Sequence, residues 1–223
     1  MIVRAEEPIT LIGGAKASRS AFEASMALAP RVVAADGGAD AALQFGVTPE
    51  AVIGDFDSIS DEARERIPSG QLHEVTEQDS TDFDKCLRNI SAPFIVGIGF
   101  SGARLDHQLA ACNSLVRHPD QRCILIGSDD VVFLAPPSMR LQLTKGSPVS
   151  LFPLGAVEGV SDGLKWPING LNFVPDGQIG TSNMALGNVD LAVTAPKLLV
   201  ILPLRFLDEV ARSLQACNAR WQD

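Results

Sequence analysis

The sequence predicts an α/β domain built on a parallel sheet, followed by a small all-β domain and a terminal helix. Three observations lead to this fold class. Short apolar runs alternate with helical patterns over roughly the first 135 residues, as in parallel α/β sheets. From about residue 138 to residue 203, short alternating segments are broken by Gly, Pro, Asn and Asp. From Arg205 to about Ala219, apolar residues recur at helical spacing: Phe206, Val210, Leu214 and Cys217.

The strands of the first domain are predicted at short apolar runs, nearly all of which end at Gly, Asp or Thr. These runs cover residues 9–13, 31–35, 51–54, 71–75, 94–98 and 123–126. Helical periodicity between them predicts helices near residues 18–29, 39–45, 60–66, 82–90 and 105–117. Strands that alternate with helices in this way are typical of βαβ units, and we therefore expect a parallel sheet.

The pattern changes at Pro136-Pro137, where we place the boundary between domains 1–136 and 137–223. Beyond it, alternating segments predict strands at 139–143, 148–152, 170–173 and 197–202. The sequence Pro175-Asp176-Gly177 predicts a turn between two of them. The second domain is therefore expected to be all-β up to the terminal helix.

Composition excludes several classes of protein. The chain has 223 residues and a formal net charge of −9 without a basic run, which argues against a general nucleic-acid binder. No apolar run reaches the roughly 20 residues of a membrane helix, and the N-terminal residues do not form a secretory signal. We expect a cytoplasmic protein. The chain has four cysteines that are far apart and form no Cys-x-x-Cys motif: Cys86, Cys112, Cys123 and Cys217. We therefore expect reduced thiols, and we do not expect a zinc site.

Acidic residues recur in short segments of the first domain. The segments are Ala35-Asp36-Gly37-Gly38, Gly54-Asp55-Phe56-Asp57-Ser58, Asp79-Ser80-Thr81-Asp82, Asp84-Lys85 and Arg104-Leu105-Asp106-His107. Two carboxylates about 4 Å apart repel by roughly 1 kcal/mol in water and about 4 kcal/mol at an effective dielectric of 20. A bound Mg²⁺ turns this repulsion into attraction, because each carboxylate is attracted to the cation. Mg²⁺ in proteins is usually bound by one or two carboxylates together with substrate phosphates. Because ligands of open α/β sheets bind at the carboxyl ends of strands, we expect these aspartates to converge on a magnesium and nucleotide site.

Simpler interpretations of the same motifs stay open. The aspartates of segment 54–58 also fit an ordinary turn, and Asp79 or Thr81 fits the N-cap of the helix at 82–90. Segment 97–102 matches the Gly-x-Gly-x-x-Gly fingerprint but is not in the first βαβ unit and has no suitably placed acid after it. It is better interpreted as a glycine-lined strand end that faces a phosphate. His107 fits either a half-buried core histidine or the site.

Six segments in chain order together resemble the thiamine pyrophosphokinase family. They are Ala35-Asp36-Gly37-Gly38-Ala39, Gly54-Asp55-Phe56-Asp57-Ser58, Asp79-Ser80-Thr81-Asp82-Phe83-Asp84-Lys85, Gly102-Ala103-Arg104-Leu105-Asp106-His107, Gly163-Leu164-Lys165-Trp166-Pro167 and Thr181-Ser182-Asn183. The resemblance implies Mg²⁺-dependent transfer of pyrophosphate from ATP to thiamine, giving thiamine diphosphate and AMP. It implies a Rossmann-like catalytic domain at 1–136 that binds nucleotide and Mg²⁺, and a thiamine-binding, dimerising β-sandwich with a terminal helix at 137–223. It also implies a homodimer with active sites between subunits.

The resemblance further implies a role for each motif residue. The expected catalytic residues are Asp57, Asp82, Arg104 and Asp106. The expected Mg²⁺ ligands are Asp55, Asp57, Asp79 and Asp82. On the ATP side the expected residues are Asp36, Gly37, Asp79, Thr81, Lys85, Gly99, Arg104 and His107. On the thiamine side they are Asp55, Trp166, Ser182 and Asn183.

Two other classes of function stay open from the sequence. One is a different metal-dependent nucleotide phosphotransferase or phosphatase. The other is a protein that binds thiamine or a nucleotide without catalysis. The identity of the nucleotide product distinguishes the first class, and the absence of turnover identifies the second.

Overall fold

The computed structural model describes residues 1–102 and 104–221. The motif position Ala103 and the last two positions of the predicted second domain lie outside the described residues. The chain forms two compact units, one made of Met1–Ser114 with Leu125–Ser128 and the other of Leu115–Ile124 with the chain from Asp129 onward. None of the helices within the described ranges is long and apolar enough to cross a membrane. The functional division at residue 136 stays a prediction.

The first unit alternates strands and helices along the chain. In order these are β1 (Val3–Arg4), β2 (Ile9–Ile12), α1 (Arg19–Leu28), β3 (Arg31–Ala35), α2 (Gly38–Gln44), β4 (Ala51–Gly54), α3 (Asp61–Arg66), β5 (Leu72–Glu74), α4 (Asp82–Asn89), β6 (Ile90–Ser91), β7 (Ile95–Ile98), α5 (Leu105–Arg117) and β8 (Cys123–Ile126). The chain passes from α5 into the second unit after Ser114 and returns at Leu125. The predicted strands and helices of this unit are confirmed, with ends that differ by no more than a residue or two.

The main sheet of this unit has the order β7-β2-β3-β4-β5, and these pairs are parallel. The chain starts in the middle at β2, builds outward through β3, β4 and β5, and then crosses to β7 on the other side of β2. The residues of β2, β4 and β7 are all buried, as expected when helices cover both faces of a parallel sheet. The reversal of strand order between β2 and β7 is where α/β sheets bind ligands.

Side-chain caps define the starts of three helices. The hydroxyl of Ser18 accepts a hydrogen bond from the Ala21 amide at 3.0 Å, and Ser60 accepts one from Ala63 at 3.1 Å. Thr81 accepts one from the Asp84 amide at 3.3 Å, which confirms the predicted cap of α4. Each cap satisfies a backbone donor that the first helical turn leaves without a partner.

Glycines bring three chain segments into close contact at the carboxyl edge of the sheet. A Cβ on Gly13 would lie 2.5 Å from the Gly99 carbonyl oxygen, and one on Gly99 would lie 2.5 Å from that of Gly13. A Cβ on Gly38 would lie 2.0 Å from the carbonyl oxygen of Ile12. Only glycine permits these approaches, which set α2 directly against the end of β2.

The second unit is antiparallel and ends in a helix. Its elements are β9 (Asp130–Leu134), β10 (Ser138–Leu141), β11 (Pro148–Pro153), β12 (Val157–Leu164), β13 (Asn172–Phe173), β14 (Gly180–Val193), β15 (Leu198–Pro203) and α6 (Leu207–Ala216). The strand order is β13-β12-β14-β11-β15-β9, and β10 pairs with β14. The coarse prediction of an all-β part with a terminal helix is confirmed.

The prediction missed three strands of the second unit, β9, β12 and β14. The long strand β14 contains Gly187 and Asn188, residues that favour turns, and β12 contains Gly159 and Gly163. Their burial does alternate, but the buried positions include small residues such as Gly159, Ser161 and Ala185. An apolar alternation was therefore hard to see. The predicted turn at Pro175-Asp176-Gly177 is confirmed by a hydrogen bond of 3.1 Å from the Gly177 amide to the Val174 carbonyl.

The close contact at Gly38 gives a prediction for stability. Alanine normally favours a helix over glycine by about 1 kcal/mol, but at Gly38 its Cβ would meet the Ile12 carbonyl. We expect Gly38→Ala to lower the free energy of unfolding by ~2 kcal/mol or more. Gly70→Ala is the control, because no atom lies within 4 Å of a Cβ there. Urea unfolding of the two variants measures the difference, and equal midpoints would contradict the packing described.

Candidate active site

A cleft of about 550 Å³ lies in the first unit at the carboxyl edge of the sheet. The segments after β2, β3, β4 and β7 all contribute to it, together with the start of α4 and the first turns of α5. Its lining residues are Gly14, Ala15, Ala35, Asp36, Gly37, Asp40, Asp55, Ser58, Ser60, Ser80, Thr81, Asp82, Phe83, Lys85, Gly99, Phe100, Ser101, Arg104, His107 and Ala111. The predicted ATP-side residues are thus brought together, with the exception of Asp79.

Asp36 is the most buried carboxylate among the residues that line this cleft. Its backbone is left-handed, with φ 43°, and its side chain is 2% exposed. The Oδ2 atom accepts a hydrogen bond from the Ser58 amide at 3.0 Å, whereas Oδ1 has no hydrogen-bond partner among the described residues. Burial and the nearby charges of Asp82 and Asp57 raise the pKa of Asp36 to about 6. A buried carboxylate oxygen without a partner is suited to a cation.

Three carboxylates form a group that a metal ion can bridge. One oxygen each of Asp36, Asp55 and Asp57 lies within 4.8 Å of the others. A Cβ on Gly54 would lie 2.7 Å from that of Asp36, so the glycine before Asp55 leaves room for the Asp36 side chain. Hard oxygen donors, one of them buried, fit the requirements of Mg²⁺. Asp36 was predicted for the ATP side of the same cleft and was not named as a metal ligand, because its neighbours in this group are distant in sequence.

Lys85 is the fixed cation of the site. Its side chain is 1% exposed, and Nζ donates to Asp55 Oδ2 and Asp82 Oδ1, each at 3.0 Å. Burial alone would lower the pKa of Lys85, but the hydrogen bonds to the two carboxylates raise it. For Asp55 the signs are opposite: burial would raise the pKa of this carboxyl group, but the hydrogen bonds from Lys85 and Gln78 lower it. Burial raises the pKa of Asp82 despite the bond from Lys85.

The segment before α4 is held by side chains that the sequence analysis missed. Gln78 Nε2 donates to Asp55 Oδ2 at 2.9 Å. Glu77 accepts hydrogen bonds from the Ser80 hydroxyl at 2.5 Å and from Arg88. The sequence signal that could have indicated these contacts is the polar pair Glu77-Gln78 directly before the acidic motif at 79–82. Asp79 is exposed, and it belongs neither to the lining of the cleft nor to the group of three carboxylates.

Arg104 and Asp106 form an exposed pair at the start of α5. Arg104 donates through Nε to Asp106 Oδ1 at 3.1 Å and through a terminal nitrogen to Oδ2 at 2.5 Å. This bidentate bond lowers the pKa of Asp106 and keeps its carboxylate ionised. Arg104 and His107 line the cleft, whereas Asp106 is not among its lining residues.

The predicted thiamine-side residues other than Asp55 lie in the second unit. Trp166 is 54% exposed, and Lys165 Nζ lies 4.5 Å from the centre of its ring. Ser182 has a left-handed backbone, with φ 62°, and its amide donates to the Ser150 hydroxyl at 3.1 Å. Asn183 is buried and hydrogen-bonded to the main chain of Trp166. The exposed indole thus has an ammonium on one face, and its ring is of the kind that attracts cations.

The sequence matches two profiles of one protein family. Residues 22–126 match the profile described as "Thiamin pyrophosphokinase, catalytic domain". Residues 138–198 match the profile described as "Thiamin pyrophosphokinase, vitamin B1 binding domain". The two matches cover more than half of the 223 residues.

Individual relatives agree with these profiles. Thiamine pyrophosphokinase 1 and thiamine pyrophosphokinase 2 of Arabidopsis thaliana are 29% and 30% identical to this chain over 155 residues. Each alignment covers 61% of this chain and 58% of the relative, so the matched part of the chain spans less than two thirds of the length of these relatives.

Solved structures share the fold. Thiamin pyrophosphokinase from Candida albicans superposes with a TM-score of 0.72 at 17% identity, covering 91% of this chain and 92% of that one. The enzyme from Bacillus subtilis superposes with a TM-score of 0.71 at 21% identity, covering 88% and 98%. The two profile matches together show that this chain belongs to the thiamine pyrophosphokinase family, which confirms the family predicted from its motifs.

Proposed function

We propose that this protein is a Mg²⁺-dependent thiamine diphosphokinase that transfers the pyrophosphoryl group of ATP to the hydroxyl of thiamine, giving thiamine diphosphate and AMP. The observation that carries the proposal is the group of Asp36, Asp55 and Asp57 beside the buried Lys85 in a glycine-lined cleft. The family profiles support it, since one describes a catalytic domain and the other a vitamin B1 binding domain.

The carboxylates are proposed to hold the metal ion that accompanies ATP. The geometry favours Asp36, Asp55 and Asp57 as ligands, because one oxygen of each lies within 4.8 Å of the others, and among the described residues neither Asp79 nor Asp82 belongs to this group. The predicted ligand set with Asp79 and Asp82 stays a prediction. When bound, Mg²⁺ neutralises phosphate charge and polarises the phosphoryl oxygens. Pyrophosphoryl transfer depends mainly on this neutralisation and on positioning.

The remaining residues of the cleft are proposed to bind and orient the substrates. Gly37, Gly99 and Thr81 line the phosphate path, and Lys85, Arg104 and His107 add positive or hydrogen-bonding groups. The thiamine hydroxyl oxygen attacks the β-phosphorus of ATP and loses its proton to solvent, while the bond between the β-phosphorus and the α–β bridging oxygen breaks and AMP leaves with that oxygen. Arg104 lowers the pKa of Asp106, which makes this carboxylate a weak general base. We therefore assign Asp106 the role of orienting the thiamine hydroxyl and the Arg104 side chain.

The second unit is proposed to be a β-sandwich that binds thiamine and forms the homodimer. Trp166 offers an aromatic face to the cationic ring, and Ser182 a hydrogen-bonding group. Leu105 and Leu109 support the dimer, because they are 71% and 58% exposed one helical turn apart on α5. We propose that they contact the second unit of a partner subunit, which completes the active site. A cytoplasmic location stays a prediction.

Product analysis tests the proposed function directly. Purified protein is incubated with ATP, Mg²⁺ and thiamine, and nucleotides and thiamine esters are separated by chromatography. The proposal predicts AMP and thiamine diphosphate in equal amounts, and neither product without thiamine or without Mg²⁺. Formation of ADP, of free phosphate alone, or of no thiamine-dependent product would refute it.

The carboxylate group gives a prediction for turnover. Replacing Asp57 by Asn removes one negative charge from the proposed metal site and leaves its shape unchanged. We expect kcat to fall by ~100-fold or more, as when a preorganised electrostatic group is lost. The exposed Asp120→Asn is the control for loss of one charge. Near-normal turnover of Asp57→Asn, with the control also active, would remove Asp57 from the site.

The raised pKa of Asp36 predicts a pH dependence of stability without divalent ions. The folded chain binds this proton more tightly than the unfolded chain, so the stabilising contribution is present below pH 3.8 and is lost as pH rises through about 6. Between pH 3.8 and about 6, the free energy of unfolding of wild type should fall by up to ~3 kcal/mol relative to that of Asp36→Asn. Urea unfolding of both proteins at pH 4 to 7 measures the difference. If the free energies of unfolding of the two proteins change in parallel with pH, the pKa of Asp36 is not raised by folding.

The exposed leucines give a prediction for assembly. The double variant Leu105→Asp, Leu109→Asp should be monomeric and should lose turnover, because charge is not tolerated in an apolar contact. Gln108→Asp adds charge to an exposed neighbouring position of the same helix and serves as the control. Sedimentation velocity measures both. An unchanged dimer in the double variant would place the interface elsewhere.

A further inference from the structure

The segment that carries Trp166 leaves the sheet just before the indole. Strand β12 ends at Leu164, and Leu164 and Ile168 are buried on either side of the exposed Trp166. The strand pairing of β12 with β14 is irregular between Asp162 and Leu164. Gly163 has φ 82° at this point, and a Cβ there would lie 1.9 Å from the Asn188 carbonyl oxygen. The backbone of Trp166 therefore continues beyond the regular strand ladder.

One buried side chain takes over the hydrogen bonds of that backbone. Asn183 Nδ2 donates to the Trp166 carbonyl at 2.7 Å, and Asn183 Oδ1 accepts from the Trp166 amide at 3.2 Å. The same Oδ1 accepts from the Met184 amide at 2.8 Å. A primary amide offers two acceptor sites and two donor hydrogens, so the oxygen of Asn183 is saturated and one hydrogen is left. The carboxamide of Asn183 therefore has only one N–H left with which it could bind a ligand.

The indole is fixed at its main chain and open at its ring. Pro167 restricts the backbone of Trp166 to extended conformations, and the Lys165 amide is bonded to the Met184 carbonyl at 2.8 Å. Lys165 Nζ lies 4.5 Å from the ring centre on one face, and the ring as a whole remains exposed. The direction of the ring therefore depends on how the Trp166 main chain is held.

We propose that Asn183 is a positioning residue that orients Trp166 for the cationic ring of thiamine. This role rests on the proposed function and replaces the direct thiamine contact predicted for Asn183 from the family resemblance. Asn183 acts through the main chain of Trp166, whereas the neighbouring Ser182 stays assigned to thiamine itself. Loss of the Asn183 carboxamide should release the indole in the absence of any ligand.

Tryptophan fluorescence tests this release without any substrate. Trp221→Phe leaves Trp166 as the sole reporter, since the chain has two tryptophans. In that background Asn183→Ala should raise the acrylamide quenching constant of Trp166 about twofold and lower its anisotropy, as a side chain loses fixed geometry. Asn188→Ala, an exposed asparagine of the same strand, is the control. Unchanged quenching and anisotropy in Asn183→Ala would overturn the proposal.

Steady-state kinetics then separates an indirect from a direct role. Asn183→Ala should raise the KM for thiamine about tenfold, the equivalent of one lost hydrogen bond, with little effect on the KM for ATP. In a Trp166→Ala background the same substitution should change the KM for thiamine less than about twofold, because the group it acts through is gone. Effects that multiply in the double variant would instead show direct contact and overturn the proposal.

A more conservative variant keeps the test decisive if Asn183→Ala does not fold. Asn183→Asp retains both accepted hydrogen bonds, and at a pH where its carboxylate is ionised it has no hydrogen to donate to the Trp166 carbonyl. It should raise quenching and the KM for thiamine, and unchanged values would overturn the proposal. If wild type forms no AMP with thiamine, the proposed function fails, while the fluorescence of ligand-free protein still decides whether Asn183 positions Trp166.

Discussion

The concentration of negative charge at one edge of the parallel sheet is the constraint on which the site depends. Asp36, Asp55, Asp57 and Asp82 gather at a partly buried edge, where carboxylates repel one another more strongly than in water. The buried ammonium of Lys85 offsets part of this charge and fixes Asp55 and Asp82 at 3.0 Å. Removing one partner of a buried pair leaves an uncompensated charge, so Lys85 holds the geometry as well as the charge balance. The buried Oδ1 of Asp36 retains the capacity for a second cation.

The backbone arrangement explains why these charges meet. Parallel strands deliver their carboxyl ends to one edge, and the crossing from β5 back to β7 opens a crevice beside β2. Gly54 provides the space for the side chain of Asp36, and Gly13 and Gly99 let two loops touch. Asp36 itself adopts a left-handed conformation that is uncommon outside glycine and is often found at functional sites.

Much of the first unit could be predicted because its strands are buried on both faces. Runs such as the residues of β2 and β7 are apolar without interruption, and side-chain caps such as Thr81 define the helix starts. The strands β12 and β14 could not be predicted by the same rule, because small residues occupy several of their buried positions. In these strands, position in the sheet decides burial more than side-chain hydrophobicity does.

The site was predictable where function resides in a short motif and unpredictable where it depends on tertiary pairing. The acidic segments predicted that these aspartates converge, but which carboxylates come within 4.8 Å of one another, namely those of Asp36, Asp55 and Asp57, becomes visible only in the folded sheet. The link from Gln78 to Asp55 spans 23 residues, and no local pattern encodes it. Asn183 was predicted as a ligand contact, and only its hydrogen bonds reveal how its carboxamide is used.

The central claim is that Asp36, Asp55 and Asp57 hold the cation that accompanies ATP. Its most direct test is Mn²⁺ binding followed by electron paramagnetic resonance, with an α,β-methylene analogue of ATP whose scissile bond cannot break. Wild type is expected to bind Mn²⁺ saturably, and Asp55→Asn should weaken this binding by about tenfold or more, the loss of a carboxylate ligand. Equal Mn²⁺ affinity in wild type and Asp55→Asn would contradict the account.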